Sequence, residues 1–267
     1  MLFRVRVYSL LRRTSVWGFI AFTLASCGRG SRSSGDDPIL GTVGENRESA
    51  AAILKMQGSP PIGPTPRTPE GRPDLTGVWH GPLVYPGQDV KMLPWAAQLA
   101  KQRVSNKLRD HPEAFCLPAN PLPLVTQFLH KLVQTPTVLI MLFEGYVPGA
   151  QQVFLDGRGH PKDLQPTWLG HSIGKWQGDT LVVDTIGFNA KGWLSYSGHP
   201  YTEKLHVIER ISRPDLGHLN INVTLDDPLT YYHSWTLHKT SELTQNDEVQ
   251  EYICEENNKD PAHMKGR

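Results

Sequence analysis

The chain has 267 residues, with 24 glycines, 22 prolines and a formal charge of +1 at neutral pH. So much backbone punctuation disfavours a helical bundle and suits short strands joined by turns. Four arginines and no acid fall in the first 26 residues, which leaves −3 on the remainder. Neither nucleic acid nor an anionic membrane surface is then an evident partner. The sequence has no C-x-x-C or H-E-x-x-H spacing, no Gly-rich phosphate loop and no dinucleotide fingerprint. No metal and no cofactor are therefore expected.

Residues 1–26 combine Arg4, Arg6, Arg12 and Arg13 with an apolar run from Val16 to Leu24, too short to remain in a bilayer as a spanning helix. Leu24-Ala25-Ser26-Cys27 resembles the lipobox of bacterial lipoproteins, which implies cleavage before Cys27 and its acylation. The alternative is an ordinary signal peptide cut near Ala25-Ser26, with Cys27 incidental. Acylation implies an outer-membrane lipoprotein facing the periplasm, firmly held by several acyl chains. Residues 27–73 read as a Ser/Gly/Pro-rich tether, with one short helix over 45–57 and an extended run over 58–73.

A single β domain is expected over 74–267. Residues 74–80 read as its first strand, and Gly77-x-Trp79 resembles the signature of lipocalin-type barrels, in which the tryptophan plugs the closed end. Pro94 opens a helix over 94–108. Strands follow over 131–134, 138–143 and 151–155, the last stopped by the Asp156-Gly157 turn. Residues 168–176 and 180–186 form a hairpin about Gln177-Gly178-Asp179. The loop 187–193, with glycines at both 187 and 192, suits a lid. Further strands are expected over 205–211, 219–225, 231–239 and 248–254. A meander of eight to ten strands with one apolar face closes most simply into an up-and-down, calycin-like barrel with one or two short helices.

Cys116 and Cys254 are left over once Cys27 is acylated, and in an oxidising compartment they form a disulfide or stay as two buried thiols. Pro73-Asp74-Leu75-Thr76-Gly77-Val78-Trp79, Trp176-Gln177-Gly178-Asp179-Thr180-Leu181-Val182-Val183, Leu205-His206-Val207-Ile208-Glu209-Arg210 and Asp226-Asp227-Pro228 are similar to blocks in a large family of secreted bacterial proteins of acidobacterial type. The resemblance covers about residues 66–260. It implies export and a β-rich domain, and brings no activity with it. Where relatives often have a histidine before the Ser/Thr-acid pair, this chain has Tyr201 before Thr202-Glu203.

Strand parity singles out two acids. Glu209 shares a face with Leu205, Val207 and Ile211, and Asp184 with Val182 and Ile186. If both rows face inward, desolvation raises both pKa values, and the pair could divide acid and base roles with His233, which falls in the row of Tyr231 and Trp235. The structural alternative places Glu209 or Arg210 in an ion pair or in a barrel-closing contact with Trp79. His199, His206 and His218 follow no metal template. Trp79, Trp176, Trp193, Tyr231 and Trp235 would suit a small apolar or aromatic ligand, or plain core packing. The leading expectation is an envelope-tethered barrel that binds such a molecule in its interior. The rivals are a cofactor-independent lyase, isomerase or hydrolase acting through Glu209, Asp184 and His233, and a structural envelope lipoprotein.

Overall fold

The computed structural model describes residues 59–84, 86, 90–145, 148–245 and 247–256. The signal peptide, Cys27 and the helix expected over 45–57 lie outside the described residues. The chain divides into residues 1–53 and 54–267, and everything below concerns the second unit.

The fold is a closed barrel. Its strands are β1 (Gly77–His80), β2 (His130–Gln134), β3 (Val138–Phe143), β4 (Ala150–Phe154), β5 (His171–Gln177), β6 (Thr180–Ile186), β7 (His206–Ser212), β8 (His218–Asp226) and β9 (Trp235–Thr244), paired in that order. β9 returns to β1 with Trp79 opposite Leu243. An odd number of strands cannot close by antiparallel pairing alone, and β4 and β5 accordingly run parallel, with Val153 opposite Ser172. A parallel pair needs a crossover connection, here residues 155–170. One α-helix, α1 (Pro94–Ser105), and two single-turn 3₁₀ segments, Pro112–Phe115 and Pro123–Val125, complete the described elements.

The hairpin between β5 and β6 is one residue tighter than expected. Gln177 pairs with Thr180, so only Gly178 and Asp179 turn the chain, and Gly178 has a φ of +59° that L side chains resist. The strand expected over 248–254 does not form. β9 extends instead to Thr244 and completes the cylinder, so no edge is left for residues 248–254 to pair with. Cys254 of that segment is joined to Cys116 by a disulfide, with Cα atoms 5.5 Å apart.

Alternating residues point inward and fill the barrel. Leu132, Met141, Val183, Ile211, Ile221 and Val223, from five strands, have no exposed surface at all. A void large enough for a ligand would expose the side chains lining it, so these rows meet one another as close-packed core. At one end, Trp79 is fully buried and its Nε1–H donates to the Leu75 carbonyl at 3.1 Å. The Arg213 guanidinium lies 4.8 Å from the Trp79 ring centroid and donates to the backbone carbonyls of Asp74 and Leu216. Arg213, rather than Glu209 or Arg210, therefore makes the closing contact; Arg210 faces outward and donates to Gln177 Oε1 at 3.0 Å. The chain before β1 is attached to this end as well: Arg67 holds Asp179 with two hydrogen bonds of 2.9 and 2.6 Å, and Leu216 N donates to the Gly63 carbonyl at 2.9 Å.

The opposite end is stopped by residues 122–125, whose Leu122, Leu124 and Val125 are buried in the core. From β9, Lys239 reaches up inside the barrel and its Nζ donates to the carbonyls of Leu124 and Thr126 at 2.9 and 2.5 Å. Replacing Trp79 with alanine leaves a large cavity under Arg213, and the expected loss of about 3–5 kcal/mol is measured as a fall in the denaturant midpoint at unchanged slope.

Candidate functional site

The three residues expected to share acid and base chemistry do not meet. Glu209 points into the barrel, buried, between Val183 and Val223 of the neighbouring strands. Asp184 has the opposite parity and lies on the outer wall, because the Val182 and Ile186 row it belongs to is the half-exposed face of β6. His233 stands exposed in the bend before β9, which begins two residues later than a strand carrying it would require. The expected Glu209–Asp184–His233 constellation is therefore not formed.

Asp184 instead gathers histidines on the outside. Its Oδ1 accepts from His206 Nε2 at 2.9 Å and from His160 Nε2 at 3.2 Å, while His160 Nδ1 lies 2.8 Å from His171 Nδ1. Among the described residues no group of three or more His, Cys, Asp or Glu side chains is placed to hold a metal ion. His199 and His218 sit elsewhere, on Ser195 and Asp215.

Two inward groups are electrostatically unusual. Burial alone pushes the Glu209 carboxyl up to about 7, and among the described residues no hydrogen bond or ion pair offsets it. Burial likewise brings the Lys239 ammonium down to about 7. Asp227 shows the contrast: it is equally buried, yet accepts from Thr202 N and Oγ1 at 2.6 and 2.9 Å and from Thr230 Oγ1 at 2.7 Å.

A pocket lies at the loop end of β1, β2 and β3, above residues 122–126, with a volume of about 80 Å³. Its walls come from far apart in the chain: Leu83 and Val84 after β1, His111 to Asn120, Thr126 to Phe128 before β2, Trp193 to Tyr196, and Tyr252 with Cys254. The Cys116–Cys254 disulfide brings the last pair to the others. His111 stands within, stacked on Tyr196 at a centroid distance of 4.8 Å and edge-on to Trp193 at 4.9 Å. Burial first, then the nearby charge of Arg103, brings its imidazole down to about 4. Tyr196 in turn donates its hydroxyl proton to Glu113.

Segment 193–199 is held against α1. Arg103 of α1 lies 4.2 Å over the Trp193 ring and donates to the Gly198 carbonyl at 3.0 Å. Gly198 has a φ of +79°, and a Cβ there would come within 2.9 Å of the Ala100 carbonyl, so only glycine lets the turn approach this closely. The turn sets Ser195 Oγ 2.6 Å from His199 Nδ1. Residues 187–193, expected as a lid, are instead packed down, with Phe188 and Trp193 buried and Gly192 N donating to Tyr201 Oη at 3.1 Å.

Of the aromatic residues expected to bind a ligand, only Trp193 lines this pocket. Trp79 is the closing plug, and Trp176 and Trp235 pack against the core. Tyr231 is buried, and its hydroxyl donates to the Pro200 carbonyl at 2.8 Å. Ser195, His111 and Lys239 went unmarked in the sequence, and His199 was weighed there only as a metal ligand. Only Lys239 left a signal there, since it continues the inward row of Trp235 and Leu237. No family model, no curated protein and no solved structure matches the chain.

The Glu209 shift makes a stability prediction. Burial raises its pKa from the ordinary 4.5 to about 7, so the folded state holds a proton that the unfolded state releases first. That contribution is full below about pH 4.5 and is lost as pH rises through about 7, a change of about 3 kcal/mol. Glu209→Gln has no such proton. Relative to wild type, its unfolding free energy should therefore gain about 3 kcal/mol between pH 4.5 and 8. Urea titrations of the two proteins at each pH check it.

Proposed function

We propose that the chain is an exported, envelope-tethered barrel that binds a small apolar or aromatic molecule, and that the site is the loop pocket rather than the barrel interior. The carrying observation is the distribution of exposed apolar groups. Of the nine highly exposed large hydrophobic side chains among the described residues, five (Phe115, Leu117, Tyr196, Tyr252 and Ile253) lie in or beside this pocket and its disulfide. Exposed apolar surface gathered around a concavity marks a binding site more often than scattered single residues do. The cavity suits a single ring: engineered cavities of about 150 Å³ take up benzene, and this smaller one is open to the collar that would cover the rest of a ligand. His111, Asn120 and Ser195 offer a few fixed polar contacts on an otherwise apolar wall.

Titration calorimetry with p-nitrophenol, phenol and indole tests the reading. Saturable binding with a negative heat-capacity change is expected, and Ala119→Phe, which fills the cavity, should abolish it while leaving the melting transition in place. If none of the ring compounds binds, the site is no ligand pocket and the structural lipoprotein is the better reading.

The envelope tether rests on the lipobox resemblance of Leu24-Ala25-Ser26-Cys27. Expression in a diderm bacterium with labelled palmitate should give a labelled membrane-bound protein, and Cys27→Ala should lose the label and enter the soluble periplasmic fraction. Label retained in Cys27→Ala would remove the lipoprotein assignment.

A further inference from the structure

We propose that Ser195 and His199 form a nucleophile and base that transfer acyl groups from small esters seated in the loop pocket, a reading that rests on this pocket being the ligand site. Ser195 lines the cavity, and its Oγ sits 2.6 Å from His199 Nδ1, within the reach that proton transfer between a nucleophile and its base requires. Ser197 N donates to the same Oγ at 3.2 Å, which fixes the hydroxyl rotor and leaves its proton directed at the imidazole. Burial lowers the His199 pKa, so the ring is in the neutral, proton-accepting form at neutral pH. The turn that presents the pair is rigid, pinned by Leu194 N to the His199 carbonyl at 2.9 Å, by Gly198 N to the Ser195 carbonyl at 3.0 Å, and by Arg103.

The chemistry closes without a cofactor. Ser195 Oγ attacks the ester carbonyl while its proton passes to His199 Nδ1. The tetrahedral intermediate collapses, the carbon–oxygen bond to the leaving group breaks, and Nδ1 returns the proton to the departing alcohol. Water then attacks the acyl-serine, giving its proton to Nδ1 and from there to Ser195 Oγ, so the products are a carboxylic acid and an alcohol. The apolar collar and the 80 Å³ cavity select esters with one short acyl or single-ring group. Among the described residues His199 has no carboxylate partner to stabilise its imidazolium, so turnover is expected to be slow beside that of a full triad.

The test uses the full mature chain with p-nitrophenyl acetate and, separately, diisopropyl fluorophosphate. Wild type should release p-nitrophenol above the buffer rate, and Ser195→Ala should lower this by about 100-fold or more. The fluorophosphate should add one phosphoryl group on the peptide carrying Ser195, a measurement on wild type that needs no variant to fold. Absence of the adduct at Ser195, or equal hydrolysis by wild type and Ser195→Ala, overturns the proposal. Binding of p-nitrophenol to wild type and Ser195→Ala separates the two readings: if binding persists without acylation, the pocket stands and the dyad falls; if binding is absent as well, both fall.

Discussion

Closing nine strands into a cylinder sets every other feature of this molecule. A barrel of this size has an interior just wide enough for side chains to fill. Here Leu132, Met141, Val183, Ile211, Ile221 and Val223 fill it without exposed surface. The two ends must then be stopped, and they are stopped differently. At one, Trp79 and Arg213 close the cylinder by stacking and by hydrogen bonds to backbone carbonyls. At the other, a short apolar segment, 122–125, is drawn down by Lys239. Because the interior is occupied, the cavity lies outside it, among the loops above that second stopper.

Polar groups inside such a core cost free energy unless they are satisfied, and the chain treats its buried charges in three ways. Asp227 is satisfied by Thr202 and Thr230, and joins the loop before β7 to the loop before β9. Lys239 gains two carbonyl partners but remains poorly solvated, and its proton is easily lost. Glu209 has no partner among the described residues and is accommodated by staying protonated near neutrality. A neutral acid in a packed wall resembles a hydrogen-bonding amide more than a catalytic carboxylate. It also lies in the strand wall, while the pocket is built from loops, so its shifted pKa marks a cost to stability at a place apart from the pocket.

How much of this was legible in the sequence depended on periodicity. Strands β3 and β6 were readable to their end residues, because alternating β-branched and aliphatic residues leave no competing pattern, and the barrel followed from counting such strands. Residues 248–254 show the limit: the segment has strand-like composition but no free edge to join, a fact set by the rest of the sheet. The two acids show another. Parity correctly grouped Asp184 with Val182 and Ile186, yet could not say which of the two faces looked inward, and a single inversion moved Asp184 to the outer wall with His160 and His206. Arg213 was hidden for a simpler reason, since it follows β7 in a turn where no alternation exists.

The loop pocket was invisible in the sequence because nothing local builds it. His111, Thr126, Trp193 and Tyr252 are separated by long stretches of chain and converge only after the barrel closes and Cys116 meets Cys254. That dependence gives the disulfide a role beyond limiting the unfolded chain. Residues 247–256 carry no strand or helix of their own, and the covalent link and Gln250 N on Glu144 Oε2 at 2.9 Å help hold this segment beside the pocket. An oxidising compartment is then a condition for completing the site as well as for stability. The export expected from the first 26 residues and the geometry of the pocket thus bear on each other: in a reducing compartment the same chain could still close its barrel, but one wall of the pocket would lose its covalent link.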